Sequence, residues 1–154
     1  MAIIEQYIVP GLKLLPEKMD TVKARAQLVA IGFQESGFKT RKQVGGPARG
    51  LWQFEKGGGI VGVLNHPSTC KIIQGVCERI VLPPYADLCY GAVAYHDALA
   101  CCFARLLLWT SPMALPDRDE MDKGWLLYLT TWRPGKPRPE DWPENFKRAW
   151  EMVT

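Results

Sequence analysis

The sequence predicts a mainly α-helical fold in a single domain over residues 1–154, interrupted by one small irregular or β-ribbon segment around residues 38–59. Three observations carry that expectation. Apolar residues recur at intervals of three and four through most of the chain, the pattern of helices that each bury one face. Prolines cluster at the joints between those stretches. The run from Phe38 to Gly59 differs from both, being polar, rich in glycine and without helical period. With 154 residues, 47% of them hydrophobic and 23% charged, the chain has the size and composition to bury a core and does not read as disordered.

A short first helix is expected from Ala2 to Val9, ended by Pro10. Asp20 or Thr21 caps the next, which carries Val22, Ala26, Val29 and Phe33 on its core face as far as Ser36, where Gly37 stops it. Within the irregular segment, Leu51 to Phe54 suits a small extended ribbon or a loop. Asn65 or Ser68 opens a helix to Arg79, with Ile72, Ile73, Val76 and Ile80 as its stripe and Pro83-Pro84 beyond. From Ala86 to Trp109, Leu88, Ala92, Tyr95, Leu99, Cys102 and Leu106 mark one long helix, the expected centre of the fold. Trp125, Leu126, Leu129 and Trp132 mark another, ending before Arg133-Pro134-Gly135. Asp141 and Pro143 open the last, which carries Phe146, Ala149 and Trp150.

Several function classes are excluded by composition. Nineteen basic against sixteen acidic residues leave a charge of +3, too mild for a dedicated nucleic-acid binder. The apolar runs Leu88–Tyr95 and Ala98–Ala104 are cut by His96, Asp97 and Arg105, short of the roughly 18 residues of a membrane span. Glu5 and Gln6 stand where a secretory signal carries Lys or Arg, so no export signal is expected. Cys70, Cys77, Cys89, Cys101 and Cys102 form no CxxC pair and lie in apolar segments, the pattern of reduced, buried thiols made in a cytosol. Only His66 and His96 accompany them, so neither a metal site nor a cofactor is expected. Gly57-Gly58-Gly59 lacks the strand and helix of a phosphate loop. His96 and Asp97, adjacent on a helix, point about 100° apart, which reads as a buried structural histidine rather than a dyad.

The chemistry concentrates at Glu35-Ser36-Gly37-Phe38, the end of a strongly periodic helix, and at Ala48-Arg49-Gly50-Leu51-Trp52-Gln53 beyond the polar loop. Glu35 follows Ile31 by four residues and Leu28 by seven, so its carboxyl leaves the helix beside apolar side chains. Partial desolvation and the negative end of the helix dipole both favour its protonated form. A general acid needs that form near neutral pH. Taken alone, the same residue reads as an ordinary glutamate at a helix end. Glu55 is either a second carboxylate facing a cleft or a solvated partner of Lys56. Lys39, Arg41, Lys42 and Arg49 supply positive charge around the loop.

The combined pattern, ESGF with Gln53 eighteen residues after Glu35, resembles the signature of lytic transglycosylases and goose-type lysozymes, in the compact form encoded by bacteriophages. In that family a helix-ending Glu-Ser precedes a Gly-Ala-x-Gly-Leu-Met-Gln loop. Ala48, Gly50, Leu51 and Gln53 match it, whereas Pro47 replaces the glycine and Trp52 the methionine. A later Ala-Tyr-Asn-Ala-Gly motif has its nearest counterpart at Tyr128 in LLYLTTWRPG, without the asparagine. The resemblance implies a lysozyme-like fold and cleavage of the bond between N-acetylmuramic acid and N-acetylglucosamine in peptidoglycan glycan strands. Glu35 would act as acid and then base, with Ser36, Gly50, Leu51, Trp52, Gln53 and Tyr128 about the substrate, Trp52 reading equally as a core residue. A hydrolase using Glu35 and Glu55 is the alternative. A non-catalytic glycan-binding or virion structural module is the alternative of another class. A phage enzyme would be made in the host cytoplasm, reaching the wall on release or within a virion, beside other lysis or virion proteins.

Overall fold

The computed structural model describes residues 2–154, and it is mainly α-helical. The eight α-helices among the described residues are α1 (Val9–Leu12), α2 (Val22–Glu35), α3 (Val61–Asn65), α4 (Cys70–Arg79), α5 (Ala86–Val93), α6 (Asp97–Trp109), α7 (Met121–Trp132) and α8 (Trp142–Val153). No strand occurs among those residues. Antiparallel bridges join Arg49 to Lys42 and to Phe54, which is as near to a ribbon as the irregular segment comes. No single helix is long and apolar enough to cross a membrane.

Pro10 does not end the first helix. A wide, π-type turn over Ile4–Ile8 leads directly into α1, with the Val9 amide reaching back to Ile4 and Pro10 inside the first turn of the new helix. A widened turn relieves the clash between a proline ring and the carbonyl four residues earlier, so the chain passes the proline without stopping.

Helix α2 begins and ends where its local signals place it. The Thr21 hydroxyl accepts from the Ala24 amide at 3.1 Å, and Gly37 turns the chain with φ +65°. Its burial departs from the expected single face. Ala26 through Gln34 are all buried, while Val22, expected on the core face, is 50% exposed. Helix α8 covers one side of α2 most extensively, and the N-terminal helical segment and α6 cover others, so from Ala26 to Gln34 no water-facing flank is left.

The long helix expected from Ala86 to Trp109 is two helices, α5 and α6, bent by 115° at Tyr95-His96. His96 is exposed rather than buried, and its Nδ1 accepts from the Leu99 amide at 3.1 Å, capping α6. Asp97 begins α6 and forms a two-pronged ion pair with Arg41. The bend swings Leu88 and Tyr95 out of the core stripe to 44% and 66% exposure. Helix α6 alone is the centre, buried from Leu99 to Leu108 and packed against α1 to α5 and α7.

The α4 stripe is followed in part and the α7 stripe is not: α7 buries Leu127 and Tyr128, while Leu126, expected on its core face, is 51% exposed and Trp125, Leu129 and Trp132 are half-buried. In α4, Ile73 and Val76 are buried, but the helix opens at Cys70 after Thr69, whose hydroxyl is drawn instead to the Val63 carbonyl at 2.7 Å. Helix α7 ends at Arg133, a left-handed residue at φ +49°, and α8 buries Phe146, Ala149 and Trp150. All five cysteines are free thiols. Four are buried and Cys70 is half-buried.

Candidate active site

Glu35 is the last residue of α2, half-buried, and the first site residue that the fold positions through space. The Tyr128 hydroxyl, from α7, donates to Glu35 Oε1 at 3.0 Å. Tyr128 is itself 2% exposed, stacked on Trp142 at 5.6 Å between ring centroids and flanked by Trp125 and Trp132. An ionised carboxylate in such surroundings loses hydration that one hydrogen bond only partly replaces. Burial therefore raises the Glu35 carboxyl from its ordinary 4.5 to about 7. The Tyr128 hydrogen bond and the Arg138 charge pull it down, and the Glu55 charge adds to the rise. Burial, and then the Glu35 charge and hydrogen bond, push the Tyr128 phenol well above its ordinary range, so it stays a donor.

The loop after α2 is tied back by Ser36. Its hydroxyl donates to the Leu51 carbonyl at 2.6 Å and accepts from the Phe38 amide at 3.0 Å. Those bonds engage the hydroxyl within the protein, so its role is to hold the helix end against the loop rather than to meet a sugar. Leu51, expected to wall a groove, and Trp52, read either as a groove wall or as core, are 1% and 0% exposed. The Trp52 indole donates to the Leu28 carbonyl at 2.9 Å, and its ring meets Phe38 edge-on, so it belongs to the core. Gly50 is also buried, at φ +81°, and a Cβ there would lie 2.5 Å from the Val93 carbonyl oxygen. It lets the loop pass against the end of α5, which is a packing role.

Gln53 and Glu55 alternate with two buried neighbours, Trp52 and Phe54. Gln53 is half-buried in a left-handed conformation, φ +52°, and its side-chain amide donates to the Gly50 carbonyl at 3.0 Å. Glu55 is exposed, and no side-chain hydrogen bond or ion pair engages it among the described residues. Lys56, its expected partner, pairs with Asp87 at 2.8 Å instead.

Glu55 lines a cleft of about 790 Å³. One side of the cleft is built by the glycine run and α3. The other is built by the Thr110–Met113 turn and the last turn of α7, including Trp132 and Arg133. Glu35 does not line this cleft, but the Glu55 charge acts on it, and Tyr128 stands one helical turn before Trp132. The Trp132 indole donates to the Trp52 carbonyl at 2.9 Å and its ring stacks on Phe54 at 5.9 Å, so it joins the loop of Gln53 to the cleft wall. A smaller cavity of about 370 Å³ lies at the opposite end of α2, beside the Asp20–Arg25 pair, whose charges already satisfy each other at 2.7 and 2.9 Å.

The cations expected to rim the site are largely engaged by the protein. Arg41 pairs with Asp97, Arg49 lies over Tyr90 at 4.5 Å and Lys42 over Tyr95 at 5.4 Å. The cation that does act on Glu35 is Arg138, which no motif marked. It sits in the proline-rich connection before α8 and donates to the Gln34 carbonyl, while Gln34 in turn donates to the Arg138 carbonyl at 2.9 Å. Trp132 and Arg133 were also absent from the expected site. Their one signal was helical spacing, since Trp132 follows Tyr128 by four residues.

No group of three or more His, Cys, Asp or Glu side chains among the described residues is arranged to hold a metal ion. The arrangement offers a carboxyl that is half protonated near neutral pH, a phenol that orients it, and a second, unpaired carboxylate on an adjacent cleft. That set can deliver and retrieve a proton at an oxygen. Comparison with protein-family models, with curated proteins and with solved structures finds no match for the chain.

Proposed function

We propose that the protein is a peptidoglycan-cleaving glycosidase of the lysozyme-like type, acting on the β-1,4 bond between N-acetylmuramic acid and N-acetylglucosamine. The observation that carries this reading is Glu35, whose carboxyl is raised to about 7 by burial while the Tyr128 hydroxyl holds it at 3.0 Å. A proton donor to a glycosidic oxygen must be neutral when substrate arrives and able to ionise as the bond breaks, and a value near the working pH meets both needs. The ESGF and ARGLWQ segments support the same reading by their likeness to lytic transglycosylases.

In the transglycosylase form, Glu35 protonates the leaving oxygen as the C1–O bond breaks. The ionised Glu35 then takes the proton from the 6-hydroxyl of the same muramoyl residue, whose oxygen bonds to C1 and closes a 1,6-anhydro ring. The substrate's acetamido group stabilises the electron-poor C1, so one protein carboxyl suffices. A second reading is favoured by one observation: Glu55 is unpaired on the cleft and its charge reaches Glu35. As a base, Glu55 would activate water and yield a hydrolytic muramidase. The setting we propose is phage lysis or entry of a virion through the wall, where such an enzyme meets glycan strands.

Release of soluble fragments from purified peptidoglycan by the wild type, and its loss in Glu35→Gln, tests the reading. No release by either protein would overturn it in favour of a non-catalytic module. Fragment mass separates the two mechanisms, because anhydromuramoyl ends lack one water relative to reducing ends.

A further inference from the structure

The cleft beside Glu55 has a donor and acceptor pattern of its own. On the α7 side, the Thr130 and Thr131 hydroxyls donate to helix carbonyls at 2.9 and 2.6 Å, so toward a ligand they present lone pairs. Trp132 has its indole N–H engaged and adds an apolar ring. Glu55 is an acceptor. These surfaces suit the hydroxyl donors and the faces of a sugar.

Two residues break that pattern. His66 Nδ1 accepts from the Ser68 backbone amide at 3.0 Å, and a backbone N–H can only donate, so the neutral ring carries its proton on Nε2. His66 lines the cleft, and no side chain among the described residues receives that proton. Arg133 lines it from the end of α7, and only its Nε is bonded, weakly, to the Thr130 carbonyl at 3.4 Å. No acidic side chain pairs with it among the described residues, which leaves its two terminal nitrogens free to grip a planar anion. The wall of glycines is bare: a Cβ at Gly57 or Gly62 would meet nothing within 4 Å. Space, an apolar ring and sugar acceptors thus share the cleft with two side-chain donors, His66 from the end of α3 and Arg133 from the end of α7.

We propose that this cleft selects glycan strands by their peptide substituents, with His66 and Arg133 receiving a carboxylate of the peptide stem. The proposal rests on the glycosidase reading for its ligand class and places the donors that meet the carboxylate at the ends of α3 and α7.

The test uses two probes that lack the scissile bond: an N-acetylglucosaminyl-N-acetylmuramoyl tetrapeptide, and the same fragment with its peptide carboxylates amidated. Binding to the wild-type protein is followed by backbone amide shifts. The charged fragment is expected to bind at least about ten-fold tighter, a difference of about 1.4 kcal/mol, with the largest shifts at Gly57, Gly62 and His66. His66→Asn keeps an acceptor for the Ser68 amide, and Arg133→Gly suits the left-handed backbone, so both variants should fold. Each should reduce the preference, and together they should abolish it. Equal binding of the two fragments by the wild type, shifts lying outside the cleft, or a preference that survives the double variant would overturn the proposal. Fragment release from whole peptidoglycan is measured alongside; its absence defeats the glycosidase reading, while the two-probe comparison still decides this one.

Discussion

The Tyr128 hydroxyl and the Glu35 carboxyl lie 93 residues apart in the chain and 3.0 Å apart in space, one on α7 and the other at the end of α2. A hydrogen bond donated to a carboxylate favours its charged form, so Tyr128 opposes the burial that raises Glu35. In Tyr128→Phe the carboxyl should therefore titrate above the wild-type value of about 7. The alkaline limb of the activity profile should move up with it. Carbon-detected titration of Glu35 checks the shift directly, and an unchanged or lower value would refute it.

The same group sets a pH dependence of stability. Its folded pKa, about 7, exceeds its ordinary 4.5, so between those values the folded state holds more protons than the unfolded one. The contribution is fully present below the unfolded pKa and is lost as pH rises through the folded one. Linkage puts its size at no more than about 3 kcal/mol, since the half-buried carboxyl keeps some hydration. Urea unfolding from pH 4 to 8 should show wild-type stability falling across that window and Glu35→Gln staying flat.

Ser36→Ala separates packing from substrate contact. Losing the hydroxyl leaves the buried Leu51 carbonyl without this donor, at a cost of about 1–3 kcal/mol. The variant should melt earlier yet keep the wild-type KM on peptidoglycan below its melting range. A raised KM with unchanged stability would return Ser36 to the substrate.

Gly50→Ala should be among the most damaging single changes. The residue sits at φ +81°, which alone costs a side chain about 1–2 kcal/mol, and the new Cβ would collide with the Val93 carbonyl. Backbone rather than a flexible side chain stands in the way, so the Gly50 loop or α5 must shift. Thermal unfolding should register a loss of more than about 2 kcal/mol.

Local signals in the chain were legible where they act over a few residues. Thr21 caps α2, Gly37 turns out of it, and Pro143 opens α8, because each works through its own backbone and the next turn. The break between α5 and α6 was not legible, since apolar residues keep a helical period across it. A histidine cap and the Arg41–Asp97 pair, formed across 56 residues, accompany the bend. Pro10 misled for a related reason: a widened turn removes the clash that makes proline a stop.

The sequence by itself determined a mainly helical chain, reduced cysteines and a glutamate at a helix end beside an irregular loop. Periodicity, capping and composition act on each segment separately, so they survive without knowledge of the partner segments. Tertiary structure alone decided that Leu51 faces the core, that Arg138 acts on Glu35, and that Glu55 rather than Glu35 lines the cleft. Those outcomes depend on which distant surfaces are brought together, and a carboxyl's protonation follows the water and charges around it rather than its neighbours in the chain.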